Sequence, residues 1–212
     1  MSATPLASLG ANENCAQHPF AETRHHARDF AGLEHARLAL VTLLAQAEAS
    51  PYSAGNRVTH FIEPTGDDHR IVLYHPAVIR SASVLGAVGF CGFRADNLPE
   101  AMIAEINRLD GLLLEELLHF PDVLSYSTVR MPDANYVNLV LLRDLAAIEA
   151  WRSSPVHQQA AEVVSPRYYK HVRLHNGVLP NGIASPFSPT SAKYYDFESQ
   201  PAWRAERALG GG

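Results

Sequence analysis

The chain predicts an α+β fold around one antiparallel sheet, and three observations carry that expectation. Between residues 83 and 179 the local signals run strand, helix, strand, strand, helix, strand. The two middle strands are joined by Pro132-Asp133-Ala134, a connection short enough to make them an antiparallel hairpin. The strands containing VLGAVGF and YVNLVLL are apolar on both faces, so both faces of the sheet need cover. This order is the ferredoxin-like pattern, with both helices on one face of the sheet. The economical cover for the other face is a second copy of the chain, so a homodimer is expected.

Each element follows from local chemistry. Residues 1–22 lack periodicity and are expected to be a mobile arm. Residues 23–80 form an N-terminal extension, a helix and a hairpin, that is a candidate degenerate half-repeat. Its helix, 23–49, carries Phe30, Leu33, Ala36, Leu40, Leu43 and Leu44 on one face and stops at Ser50-Pro51, before a loop at 53–56. Two short strands, 57–63 and 69–75, flank Pro64-Thr65-Gly66-Asp67-Asp68, and Pro76 ends the second. The main domain spans 83–178. Its first strand, 83–93, holds Gly86, Gly89 and Gly92, which permit close approach of a ligand or another backbone.

A helix from Asn97-Leu98-Pro99-Glu100 to about His119 has Met102, Ile103, Ile106, Leu109, Leu113 and Leu117 as its stripe. The hairpin strands are 123–131 and 135–143. Asp144 then caps a helix with Leu145, Ile148 and Trp151 at helical spacing. Pro155 cannot lie inside one straight helix. Ser154 therefore caps a restarted helix whose first residue is Pro155 and which runs to about Val164. The last strand covers 168–174 and ends at His175-Asn176-Gly177. Residues 179–212 are rich in Pro and Ser and are expected to be an extended tail. Its Phe187, Tyr194, Tyr195, Phe197 and Trp203 are available to dock.

Composition limits the function classes. The 212 residues can bury a sizeable core, and 47% of them are hydrophobic, as in ordinary globular proteins. A net charge of −5 without a basic stripe argues against nucleic-acid binding. No apolar run is long enough to span a membrane, and no secretory signal pattern opens the chain. Cys15 and Cys91 form no disulfide framework or metal knuckle, which fits a cytoplasmic protein.

The combination of Tyr136–Leu142, Asp144-Leu145, Ile148-Glu149-Ala150-Trp151, Ser153-Ser154-Pro155, His157 and the pair Tyr168-Tyr169 resembles the dimeric α/β-barrel superfamily. Within it, the likeness is to antibiotic-biosynthesis-monooxygenase-like domains, over residues 83–178. The resemblance implies a homodimer and a small-molecule substrate. It also implies cofactor-free oxidation of an apolar or aromatic compound in a helix–sheet pocket. Haem-binding oxidoreductases of the same superfamily are the alternative, and a non-catalytic small-molecule-binding dimer, its pocket filled by tail aromatics such as Phe187 and Tyr195, is a third. In haem-degrading relatives an axial His lies further along this helix, where the present chain has Gln159, Ala160 and Ala161.

The resemblance nominates His157, Trp151, Asn138 and Tyr168 as catalytic residues, and Tyr126, Tyr136, Gly89 and Phe90 as substrate-binding. His157 is the third residue of the restarted helix, where the helix dipole favours neutral imidazole. It is then a base, a haem ligand, or a local packing group beside a core Trp151. Asn138, Trp151 and Tyr168 match the residue types that orient a phenolic substrate whose own anion reacts with oxygen. Asn138 facing solvent is the plain alternative. His60 falls on the opposite side of its hairpin from His69 and His75, so those three do not form a metal site. His25-His26 and His35 have no metal-ligand spacing.

Overall fold

The computed structural model describes residues 6–48, 57–131 and 133–210. The expectations for residues 1–5, for the loop at 53–56, for Pro132 and for Gly211-Gly212 lie outside these. Among these residues nine strands form one sheet: β1 (Ala7–Leu9), β2 (Arg57–Ile62), β3 (Asp68–Leu73), β4 (Leu85–Arg94), β5 (Val123–Arg130), β6 (Tyr136–Leu142), β7 (Tyr169–Ile183), β8 (Ser188–Asp196) and β9 (Trp203–Ala208). The helices are α1 (His26–Glu48), α2 (Pro76–Ser81), α3 (Glu100–Leu117), α4 (Ala147–Arg152), α5 (Pro155–Gln158) and α6 (Ser165–Tyr168). A π-helical stretch, Gln159–Val164, joins α5 to α6.

The sheet order is β1-β9-β8-β7-β4-β6-β5-β3-β2. Its centre, β7-β4-β6-β5, is antiparallel throughout and is the expected ferredoxin-like set. The N-terminal hairpin adds β3 and β2 beyond β5. Strands β8, β9 and β1 extend the other edge beyond β7. The fold is thus α+β, with a sheet more than twice the expected width.

Side-chain alternation divides the sheet into two apolar faces. One face buries Ile71 and Leu73 of β3, Leu85, Ala87 and Cys91 of β4, and Val137, Leu139 and Leu141 of β6. Over it lie Leu33, Ala36, Leu40 and Leu44 of α1. This corrects the expectation of a sibling subunit there: the chain covers the face with its own helix. The helical spacing of those residues was legible in the sequence, but their partner surface was not.

The terminal segments also differ from expectation. Residues 188–208, read as an extended tail, supply two strands. Their docking aromatics include Tyr194, which is fully buried. Residues 6–22, read as a mobile arm, contribute β1 and bury Leu9, Cys15, Phe20 and Ala21 against Ala192, Tyr194 and Ala205. Strand β7 runs to Ile183, well past Leu174; β8 pairs along it from His171 to Val178 and β4 from Tyr169 to Leu179.

Buried charge ties these pieces together. Arg173 donates from Nε and Nη2 to both oxygens of Asp29, each at 2.6 Å, and from Nη1 to the carbonyl of Phe20 at 3.2 Å. His175 Nε2 lies 2.8 Å from the same carboxylate. Burial raises the Asp29 pKa, but the bonds from Arg173 and His175 outweigh it and hold the group down at about 2. The fully buried Arg207 donates to the carbonyls of Gly10, Ala11 and Glu13, which seats the N-terminal segment.

Candidate active site

The opposite face of the sheet meets α3, α4, α5, the π stretch and α6, and a cavity of about 970 Å³ lies between them. That volume suits a drug-sized molecule. Its floor includes Val88, Phe90, Tyr126, Tyr136, Asn138, Val140 and Leu174; Ile106, Leu113, Ile148, Trp151, His157, Ala160 and Ala161 line the helical side.

The restart at Pro155 forms as the sequence predicts. Ser154 Oγ accepts from the His157 amide at 3.0 Å and donates to Glu116 Oε2 at 2.5 Å, so the cap also fixes α5 to α3. This brings the His157 ring edge-on to Trp151, with centroids 4.8 Å apart and planes at 67°. Burial, helped by the charge of Arg152, lowers the His157 pKa, so its imidazole is neutral near pH 7. Trp151 is buried, yet its Nε1 has no hydrogen-bond partner among the described residues.

Tyr126 and Asn138 stand on adjacent strands and share this face. Asn138 Nδ2 donates to the Tyr126 hydroxyl at 3.0 Å. The bond fixes the amide, and Asn138 Oδ1 is left buried and without a partner among the described residues. Asn138 therefore does not face solvent. Burial, with the nearby Asp110 carboxylate, pushes the Tyr126 pKa up, so the phenol stays neutral. Among the described residues lining the cavity, Asn138 Oδ1 is thus a buried acceptor without a partner, and Trp151 Nε1, Arg70 Nε and Arg204 Nε are buried donors without one. Such groups are costly to bury unpaired.

Of the eight nominated residues, His157, Trp151, Asn138, Tyr126, Tyr136 and Phe90 line the cavity, and two do not. Tyr168 is buried beside Met102, Leu109 and Val164, behind the wall. Burial, with a hydrogen bond to Tyr136, raises its pKa. Gly89 belongs to the other face, where a Cβ would overlap Leu33 of α1. Its missing side chain admits the helix and not a ligand.

Sequence reading missed several wall residues. Arg70 on β3 makes a two-bond pair with Asp110 on α3, at 2.6 and 2.9 Å, closing one part of the cavity with charge. The tail contributes Phe197, which was not anticipated, and Tyr195, which the third reading placed at the pocket; Phe187, named with it, packs on the α1 face instead. An Arg and an Asp 40 residues apart carry no spacing signal, and the tail residues gain their positions only through pairing with β7.

No family model matches the chain, and no curated protein matches it. Among solved structures it is similar to a protein from Shewanella oneidensis, at 16% identity and a TM-score of 0.37, over 46% of this chain and 94% of that one. A conserved protein from Methanosarcina mazei Go1 is similar at 14% identity and a TM-score of 0.38, over 44% and 91%. A mutant of SnoaB, a cofactor-independent oxygenase from Streptomyces nogalater, is similar at 14% identity and a TM-score of 0.34, over 46% and 91%. Likeness at this level carries no argument about chemistry, so any functional reading rests on the residues of this chain. No helix among the described residues is long and apolar enough to cross a membrane.

Proposed function

We propose that the chain is a monooxygenase-like oxidoreductase whose cavity binds a planar, largely apolar molecule bearing a phenolic or enolic hydroxyl. The observation that carries this is that Asn138 Oδ1 and Trp151 Nε1, on residues that line the cavity beside apolar side chains such as Val88, Val140 and Ile148, are buried without partners. A hydroxyl on the ligand donates to Asn138 Oδ1. A carbonyl or developing oxyanion accepts from Trp151 Nε1. Each contact satisfies a group that folding leaves unpaired, so both favour a ligand that has a donor and an acceptor together.

The neutral imidazole of His157, beside Trp151, is the candidate base that takes the substrate proton. The resulting carbanion–enolate passes an electron to dioxygen. One oxygen atom is retained as a new carbonyl, and the other leaves as water with the two hydrogens lost from the oxidised carbon. Anthrone and dioxygen give anthraquinone and water by this balance. Purified protein mixed with anthrone-type compounds should accelerate quinone formation, and Trp151→Phe and Asn138→Ala should each slow it. A wild-type rate equal to buffer removes the oxidative reading. Binding of such compounds without turnover leaves a binding protein that uses the same two groups.

A haem-dependent reading has one feature in its favour: His157 offers an imidazole on the cavity wall that burial keeps neutral. It would hold the iron of a bound haem, which would supply redox chemistry. A Soret band that forms on haemin titration and is lost in His157→Ala would select this reading. No band would remove it.

A further inference from the structure

A second site lies on the α1 face of the sheet, away from the cavity. His35 Nε2 of α1 and His69 Nδ1 of β3 each lie 2.7 Å from the carboxylate of Glu63, which precedes the hairpin turn. These nitrogen and carboxylate atoms all fall within 4.8 Å of one another. We propose that His35, Glu63 and His69 form a binding site for a zinc-type divalent cation. This inference is independent of the cavity reading.

Three features support it. The first is the donor set: two imidazoles and one carboxylate are borderline ligands suited to zinc and its first-row neighbours, whereas magnesium and calcium prefer all-oxygen sites. The second is the orientation of His69. Its ring is fully buried, and its other nitrogen, Nε2, lies 2.9 Å from Ser127 Oγ. A hydroxyl can donate or accept. It therefore supports the tautomer in which Nδ1 carries hydrogen toward Glu63, and equally the tautomer in which Nδ1 presents a lone pair to a cation. Such an outer partner is what fixes a metal-bound imidazole. The third is access. The His35 side chain is half exposed and the Glu63 carboxylate nearly buried, so a cation can enter from the His35 side and keep an open position for water. Ligands around zinc are separated by about 3.4 Å, from bond lengths of about 2.1 Å, so the His35–Glu63 and His69–Glu63 pairs, each now at 2.7 Å, must both open by less than about an ångström.

Two other clusters of ligand types are already saturated. In Asp29–Cys91–His175, both carboxylate oxygens accept from Arg173, whose positive charge opposes a second cation. In His171–Asp196–Glu198, Asp196 accepts from the backbone of Glu198 and Ser199, from Ser199 Oγ and from His18. Glu63, by contrast, is paired with two imidazoles, both of them able to bind a metal.

The test is a titration of the full chain with Zn²⁺, read by calorimetry, and with Co²⁺, read by visible absorption. One equivalent should bind, and thermal unfolding should shift upward, because the cation ties α1 to the β2–β3 hairpin. His35→Ala changes a half-exposed side chain and should fold, as circular dichroism would confirm. It should lower affinity at least about tenfold, and Ser127→Ala should lower it by about tenfold through His69. His171→Ala should leave binding unchanged. No stoichiometric binding by the wild type, or equal affinity in His35→Ala, would overturn the proposal. So would loss of binding in His171→Ala.

Discussion

Trp151 and Asn138 separate the two jobs a buried polar side chain can do. Trp151 packs with Val88, Val140 and Leu117, so most of its ring is core. Its Nε1 does nothing for that core, because it meets no partner. Trp151→Phe keeps most of the apolar area and deletes the donor. It should cost about tenfold in ligand affinity or turnover, the worth of one ordinary hydrogen bond, while the midpoint of urea unfolding hardly moves. An equal loss of both would assign Trp151 to packing alone. Sequence spacing could place Trp151 on a helix and Asn138 on a strand. It could not show that Asn138 spends its amide nitrogen on Tyr126 and keeps its oxygen free, because that follows from the register of β5 against β6.

Gly89 and the π stretch make the corresponding argument for elements. The glycines of β4 were read as space for a ligand or a backbone. At Gly89 the space admits Leu33 of α1, and at Gly86 it admits the backbone of Asp144. Gly89→Ala should destabilise the fold by about 1–3 kcal/mol through overpacking and leave cavity binding intact, as denaturation and ligand titration together would show. The π stretch acts on the other face. It places Ala160 and Ala161, two small side chains, on the cavity wall. Ala160→Leu should shrink the cavity and weaken binding of large ligands more than of small ones, measured across a graded series of aromatic compounds. The sequence showed the βαββαβ order because each of those elements has its own period or turn. It hid β8 and β9 because residues 188–208 become strands only by pairing with β7 and with each other.

At the scale of the whole molecule, the decisive feature is that α1 occupies the face for which a second subunit was expected. The apolar sheet that called for a dimer is already covered, so sedimentation at micromolar concentration should give a species near 23.2 kDa. A species of twice that mass would mean that a different surface pairs the copies.

The same closure sets the response to acid. His26, at the start of α1, lies 2.8 Å from the buried Tyr194 hydroxyl of β8. Burial first, and then the charges of His175, Arg173 and Arg207, lower its pKa from 6.5 to about 4, against a smaller opposing pull from Asp29. The folded state therefore resists a proton that the unfolded chain accepts, and stability falls as pH drops from about 6.5 toward 4. Asp29 is shifted in the same direction, from 3.8 to about 2. Its stabilisation is complete above its ordinary value of 3.8 and is lost as pH falls toward 2. Unfolding free energy measured against pH should therefore decline in two stages, first through the histidine range and then through the carboxylate range. His26→Gln, which keeps a hydrogen-bonding group toward Tyr194 and cannot gain charge, should flatten the first stage and leave the second. A first stage unchanged in His26→Gln would assign it to the other buried imidazoles, His69, His157 and His171, whose pKa values burial also lowers.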